Sequence, residues 1–282
     1  LYEEFGDERV KDTPISEALI GGAAVGAAMT GLRPVAELMY VDFTPLAMDQ
    51  LANQGAKNRY MFGGKTRVPM VIRTEGGAGR SIAAHHSQSL EALWAHFPGI
   101  YLVMPSTPYD AKGLLKAAIR DDNPVVFIED KMGYTAKGPV PADDYVVPLG
   151  VADVKRRGDD VTLIATSSMV QVALEAAEEL ARSGVSAEVI DPRTLVPLDI
   201  DTVVESVKKT GRLITVHEAH VTMGFGTEVV AAVTNKAFRY LDAPPERLGA
   251  KMCTLPFNLG LENAVVPSKE EIKAAVKRTL HL

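Results

Sequence analysis

Apolar and polar positions along this chain switch repeatedly between two periods. Short apolar runs bounded by turn residues read as strands at Pro34 to Met39, Val68 to Arg73, Ile100 to Met104 and Pro124 to Ile128. They recur at Asp160 to Ala165, Ala187 to Ile190, Arg212 to His217 and, more weakly, near Lys251. Between them lie stretches with helical spacing: Thr44 to Tyr60, Ser87 to His96, Thr107 to Arg120, Met169 to Arg182, Asp199 to Lys209, Phe225 to Phe238 and a closing segment from Ser268. Such alternation predicts an α/β fold of doubly wound, mostly parallel sheets, with ligands beyond the carboxyl ends of the strands.

The rhythm breaks once, where Lys131 to Leu149 carries Pro139, Pro141 and Pro148 with Gly133 and Gly138. That composition predicts a linker, 131–149, between a first domain of residues 1–130 and a second of residues 150–282. A length of 282 residues suits two domains.

One helix differs from the rest. Asp12-Thr-Pro-Ile-Ser-Glu17 predicts a start capped by Thr13 or Asp12, with Pro14 in the first helical position and Glu17 about one turn inside. From Ala18 to Gly31 there is no charge, and Gly21, Gly22 and Gly26 lie within the segment. Each glycine costs about 1 kcal/mol against alanine, so a buried helix with a close backbone neighbour is expected. A carboxylate at its mouth would be partly desolvated, which tunes protonation. Acids also stand in first turns simply to complement the helix dipole, and both readings of Glu17 stay open on these grounds.

Thirty Lys and Arg against 36 Asp and Glu give a net charge of −6, dispersed along the chain, which argues against a nucleic-acid surface. The one cysteine, Cys253, has no intrachain partner, and no apolar run reaches the roughly 18 residues of a membrane span. A soluble, cytoplasmic protein with no membrane partner is expected. Leu1 to Phe5 reads as the interior of a helix, so residues upstream of Leu1 are expected too.

Several motifs fail on their spacing. Gly76-Gly-Ala-Gly79 follows a strand without the Lys-Ser or Lys-Thr of a phosphate loop, and reads as a turn needing positive φ. His217 and His220 are three apart at a strand end, whereas the helical zinc motif needs four. No nucleophile elbow surrounds Ser87, Ser167 or Ser168. His85-His86-Ser87-Gln88 is more informative, because it falls in a strand-to-helix loop at the carboxyl edge of the sheet. Polar capping of a helix start accounts for it equally well.

Together, Asp12 to Glu17, Ala23 to Pro34, His86-Ser-Gln88, Ala95-His-Phe-Pro-Gly99, Pro105 to Leu115 and Asp191 to Asp199 resemble the beta subunits of thiamine-diphosphate-dependent dehydrogenases that feed lipoyl complexes. These are transketolase-like first components acting on 2-oxo acids or acetoin, and the resemblance covers essentially the whole chain. In that family an N-terminal helix and the first strand of the sheet precede the position of Leu1.

The resemblance implies roles. Glu17 corresponds to the acid that hydrogen-bonds a pyrimidine ring nitrogen of the cofactor; Ile15, Met39 and Phe43 to apolar groups that line or stack on that ring; and His86 to the histidine facing the substrate. Asp121 and Asn123 match a loop that holds potassium in some relatives, although ordinary turn chemistry fits them as well. The family's Gly-Asp-Gly motif and Asn pair for diphosphate and magnesium are missing, since Gly158-Asp-Asp160 departs at its third position. Magnesium and diphosphate binding are therefore expected from an alpha subunit, in an alpha2beta2 assembly serving a dihydrolipoyl acyltransferase. Tyr60 to Gly64, Pro105 to Lys112 and Gly138 to Pro141 look most similar to acetoin dehydrogenase beta subunits, with pyruvate and branched-chain 2-oxo acid enzymes as alternatives. A non-catalytic assembly subunit and a transketolase or deoxyxylulose-phosphate-synthase relative are the competing classes.

Overall fold

In the computed structural model, which describes residues 1–282, the chain builds two five-stranded sheets. The strands are β1 (Val35–Tyr40), β2 (Val71–Gly76), β3 (Tyr101–Val103), β4 (Val125–Asp130), β5 (Asp153–Arg156), β6 (Val161–Ala165), β7 (Ala187–Asp191), β8 (Thr194–Val196), β9 (Leu213–His220) and β10 (Glu246–Ala250). Their orders are β1-β2-β4-β3-β8 and β10-β9-β6-β7-β5. All pairings are parallel except those of β5 with β7 and β3 with β8. Every residue of β6 and β7 is buried, as expected of parallel strands covered on both faces.

β5 and β8 were not expected from the sequence. Three or four residues are too few to display a period of two. β8 leaves the second half of the chain and pairs with β3 in the first sheet, Leu102 opposite Val196 and Val103 opposite Thr194. The apolar core follows it across: Leu38, Ile72 and Ile128 of the first sheet share one cluster with Ile190, Val203, Val207, Phe225 and Val229. The stretch 131–149 is irregular but docked, with Val147 buried and its N–H on the Gly113 carbonyl at 3.1 Å.

The helices are α1 (Tyr2–Arg9), α2 (Glu17–Met29), α3 (Ala56–Met61), α4 (Glu91–Ala95), α5 (Pro108–Arg120), α6 (Met169–Ala181), α7 (Ile200–Thr210), α8 (Phe225–Ala237), α9 (Leu259–Asn263) and α10 (Lys269–Leu280). α1 is broken at Gly6, where φ is 68°. α2 begins later than expected, with Ser16 as its cap and Glu17 as its first residue. The Asp12 carboxylate instead accepts the Thr13 N–H at 3.0 Å, in an exposed turn. Nor is α2 buried all round. Gly21, Ala24, Val25 and Ala28 form its covered face, while Leu19, Gly26 and Met29 are exposed. The close neighbour exists at Gly21, where an added Cβ would come within 3.1 Å of Ala47 Cβ; at Gly26 the space is open.

The segment expected as one helix from Thr44 to Tyr60 is a 3₁₀ turn (Val41–Ala47), a π-helical stretch (Asp49–Gly55) and α3. Pro45 removes one donor, which suits the tighter turn. The helix expected at Ser87 to His96 shrinks to α4. The Gln88 N–H goes to Asp42 Oδ1 at 3.1 Å and its carbonyl accepts the Gly77 N–H at 3.0 Å, so tertiary bonds take the groups a helix would need.

A buried ion cluster closes the boundary between the sheets. Asp110, in the first turn of α5, is fully buried, with Arg193 at 2.8 Å and Lys155 at 2.6 Å on its two oxygens. Burial pushes its carboxyl up, but bonds from Lys155 and Thr107 outweigh this and hold it below the usual range. Both cations also reach the half-exposed Asp153, at 2.8 Å from Lys155 and 2.9 Å from Arg193, so removing Asp110 leaves two cations to share one acid. Asp110→Ala is expected to lower stability by about 3–5 kcal/mol, read as the urea unfolding midpoint. A loss below about 1 kcal/mol would mean that Asp153 alone satisfies the two cations.

Candidate active site

α2 and β1 are each about 20 Å long and are joined by a short turn, so they run antiparallel and the start of the helix lies at the carboxyl end of the strand. That brings half-buried Glu17 to the edge where β1 ends in Met39 and Tyr40 and turns into Phe43. His86 arrives from the loop after β2. Its ring stands edge-on to Tyr40, centroids 4.8 Å apart, and to Phe43 at 5.3 Å. Tyr40 and Phe43 are themselves 6.1 Å apart. The imidazole is thus braced by two aromatic rings, while His85 is exposed.

The loop carrying His86 is shaped by residues at positive φ: Gly77, Gly79, Ser81 and Ala83. The glycines match the expected turn, and at Gly79 a side chain would meet Met132 Sδ at 3.1 Å. Beneath the loop lies Lys131, with no exposed surface. Its ammonium donates to the His86 carbonyl and sits 5.3 Å from the centre of the Tyr40 ring. Burial pulls the Lys131 pKa down, and the nearby Asp42 and Glu75 carboxylates only partly oppose that. From the second half of the chain, Glu218 of β9 accepts the Ala78 N–H at 3.1 Å, and Glu262 of α9 accepts those of Gly79 at 2.9 Å and Ser81 at 3.0 Å. The sequence motifs in this half of the chain, at Ser167, Ser168, His217 and His220, point to neither acid. No local pattern flags an acid whose partner is 140 or 183 residues away.

Behind the loop is a small cavity lined by Gly76, Gly77, Glu91, Asp130, Thr166, Ser167 and Glu218. Glu91 is 1% exposed and neither carboxyl oxygen has a hydrogen-bond partner. Burial pushes its pKa up to about 7. Glu218 is also pushed up to about 7, by burial and then by the Asp130 carboxylate, and burial raises Asp130 in turn.

The other expected site residues fall into two groups. Ile15 is 76% exposed, Met39 is 43% exposed and Phe43 is half-buried, leaving an apolar, open surface beside Glu17. Next to it lies an open depression of about 270 Å³ lined by Glu37, Met39, Tyr40, Arg73, Glu75 and Tyr134. This donor set suits a flat, amphipathic ring. Asp121 and Asn123 lie apart, in a turn where Asp121 Oδ1 accepts the Asn123 N–H at 2.8 Å. Arg59 donates to Asn123 Oδ1 at 2.5 Å and Arg33 to the Asp121 carbonyl at 2.6 Å, so guanidinium groups already occupy these oxygens. No cluster of three or more His, Cys, Asp or Glu is arranged to hold a metal. His217 is fully buried, and burial pushes its pKa down to about 4. No helix is long and apolar enough to cross a membrane.

Residues 1–137 match the transketolase pyrimidine-binding domain family and residues 150–272 the transketolase C-terminal domain family. Among curated proteins, the chain is 53% identical over 272 residues to the beta subunit of acetoin:2,6-dichlorophenolindophenol oxidoreductase from Bacillus subtilis, covering 96% of this chain and 80% of that one. The subunit of the same name from Cupriavidus necator is 49% identical, with 99% and 82% covered. The 2-oxoisovalerate dehydrogenase beta subunit of Bacillus subtilis is 46% identical, with 98% and 85% covered. A solved structure described as a split gene transketolase, inactive beta4 tetramer, superposes with a TM-score of 0.82 at 25% identity, covering 100% of this chain and 87% of that one.

The buried acids carry a pH signature. A folded pKa of about 7 at Glu91 lies above the unfolded value of ~4.3, so its contribution is complete at low pH and is lost as pH rises through 7. Asp130 and Glu218 share the cavity and repel the ionised form. Glu91→Gln should therefore gain stability on the wild type between about pH 5 and pH 8, by about 1–3 kcal/mol in urea titrations. A difference that does not change with pH would show that Glu91 is ionised throughout.

Proposed function

This chain belongs to the transketolase-like family, among the beta subunits of two-component acetoin and 2-oxo acid dehydrogenases, and on that premise we propose that it supplies the pyrimidine half of a thiamine-diphosphate site in an acetoin dehydrogenase. What supports the reading is the arrangement at one sheet edge, where α2 starts with Glu17 and β1 runs out through Met39 towards Phe43, whose ring stands 5.3 Å from that of His86. Ile15, Met39 and Phe43 give the ring of the cofactor an apolar bed, and Glu17 holds a proton at its ring nitrogen. Thiamine diphosphate, when bound, supplies the nucleophilic carbon and the electron sink. His86 hydrogen-bonds the substrate oxygen and assists delivery of the acyl group to the lipoyl arm of a dihydrolipoyl acyltransferase.

Stacking and one carboxyl hydrogen bond amount to roughly 2–4 kcal/mol, a millimolar affinity or weaker. An alpha subunit carrying the diphosphate and magnesium ligands completes the site, in an alpha2beta2 assembly working in the cytoplasm. The relative described as an inactive beta4 tetramer agrees with a chain that needs its partner. Potassium at Asp121 and Asn123 requires Arg33 and Arg59 to move away, and no step of the reaction is routed through it.

The two acetoin enzymes stand at 53% and 49% identity against 46% for the 2-oxoisovalerate enzyme, which favours acetoin by a narrow margin. With the alpha chain present, turnover of acetoin is expected to exceed that of pyruvate and 3-methyl-2-oxobutanoate. A faster reaction with either 2-oxo acid would transfer the assignment to that substrate. Glu17→Gln should lower turnover by on the order of 10²–10⁴-fold. If turnover is unchanged, Glu17 is an interface residue and the chain an assembly subunit.

A further inference from the structure

The second half of the chain grips the histidine loop. Glu262 in α9 has no exposed surface, and its two oxygens take the Gly79 and Ser81 N–H groups at 2.9 and 3.0 Å. This is a two-pronged hold on alternate residues of one loop, made away from water, with each carboxyl oxygen taking one N–H. The loop needs holding: Ser81 and Ala83 have φ of 55° and 62°, a left-handed conformation that non-glycine residues keep only where their surroundings impose it. Three residues past Ala83, the backbone is fixed again, by Lys131 on the His86 carbonyl and by Asp42 on the Gln88 N–H.

We infer that Glu262 is a positioning residue for the reaction, setting the place of the His86 imidazole through the loop that joins them. The inference rests on the reading of His86 as the group that faces the substrate. Glu262 fixes where the chain enters the turn at Ser81 and Ala83, and the turn fixes the ring between its two braces. Glu218, on the Ala78 N–H, extends the same hold by one residue. The family's second domain thereby takes part in catalysis without lending a group to the chemistry.

The test uses the complex reconstituted with its alpha chain, in three forms: wild type, Glu262→Gln and His86→Ala. Glutamine keeps the size of the side chain but has one acceptor where two N–H groups need one each. Amide exchange across Ala78 to Ser87 should speed up by on the order of 10–100-fold in Glu262→Gln, with the rest of the chain unchanged. Acyl transfer to lipoamide should fall about tenfold, as in His86→Ala. Reduction of 2,6-dichlorophenolindophenol, a two-electron acceptor that bypasses the lipoyl arm, should fall less than acyl transfer does, and in the same proportion as in His86→Ala, because it keeps the substrate contact of His86 but not the delivery step. Loop exchange at the wild-type rate overturns the inference, as does a loosened loop with full acyl transfer while His86→Ala has lost it. Full acyl transfer in His86→Ala overturns the reading of His86 itself, and Glu262's part in the reaction falls with it. Glu262→Asp, whose shorter carboxylate reaches one N–H, should give intermediate exchange and transfer.

Discussion

Buried carboxylates join the two sheets of this protein. Asp110 of α5 meets Lys155 of β5 and Arg193 of the turn after β7, while Glu218 of β9 and Glu262 of α9 meet backbone N–H groups of the loop after β2. Taking such charges from water costs several kcal/mol each, and only well-aimed partners recover it. A small sliding of one sheet against the other breaks several of these bonds at once. The shared apolar cluster resists the same motion less selectively, because packing tolerates displacements that directed bonds do not. Fixed domains are what allow a carboxylate on one sheet to define a loop on the other.

Much of the architecture was legible because burial writes itself into sequence. β6, β7 and β9 are buried almost throughout and built largely on Val, Ile and Leu, and α5 carries both its Thr107 cap and Pro108 where the sequence puts them. α7 ends at Gly211, at positive φ, as a helix stop should. The failures have physical causes. β8 is too short to show a period, the start of α2 was misplaced because Asp12 bonds Thr13 instead of capping, and Gln88 exchanged helical bonds for tertiary ones.

The candidate site was legible to a different degree. Glu17 and His86 were picked out by their positions at a helix start and a strand-to-helix loop, and their roles came only through resemblance. Lys131 was invisible, since a lysine beside a proline-rich stretch reads as solvated surface, yet it has no exposed area. Glu218 lay inside a motif dismissed for metal spacing. Its environment, not its sequence neighbours, makes it notable. The outward face of α2 remains apolar at Leu19 and Met29, with Ile15 beyond its end, which is a surface suited to a protein neighbour.

The passage of β8 into the first sheet bears on how the chain matures. The first sheet is read from the chain before residue 131, but its edge beside β3 is filled only by Thr194–Val196. On a ribosome that edge stays unpaired until the strand has been synthesised and has crossed over, while β5, β6 and β7 are already available. Folding that waits on so distant a pairing is slower than domain-by-domain folding. The exposed side of β3 is then the place where a nascent chain is most open to a chaperone or to pairing with the wrong strand.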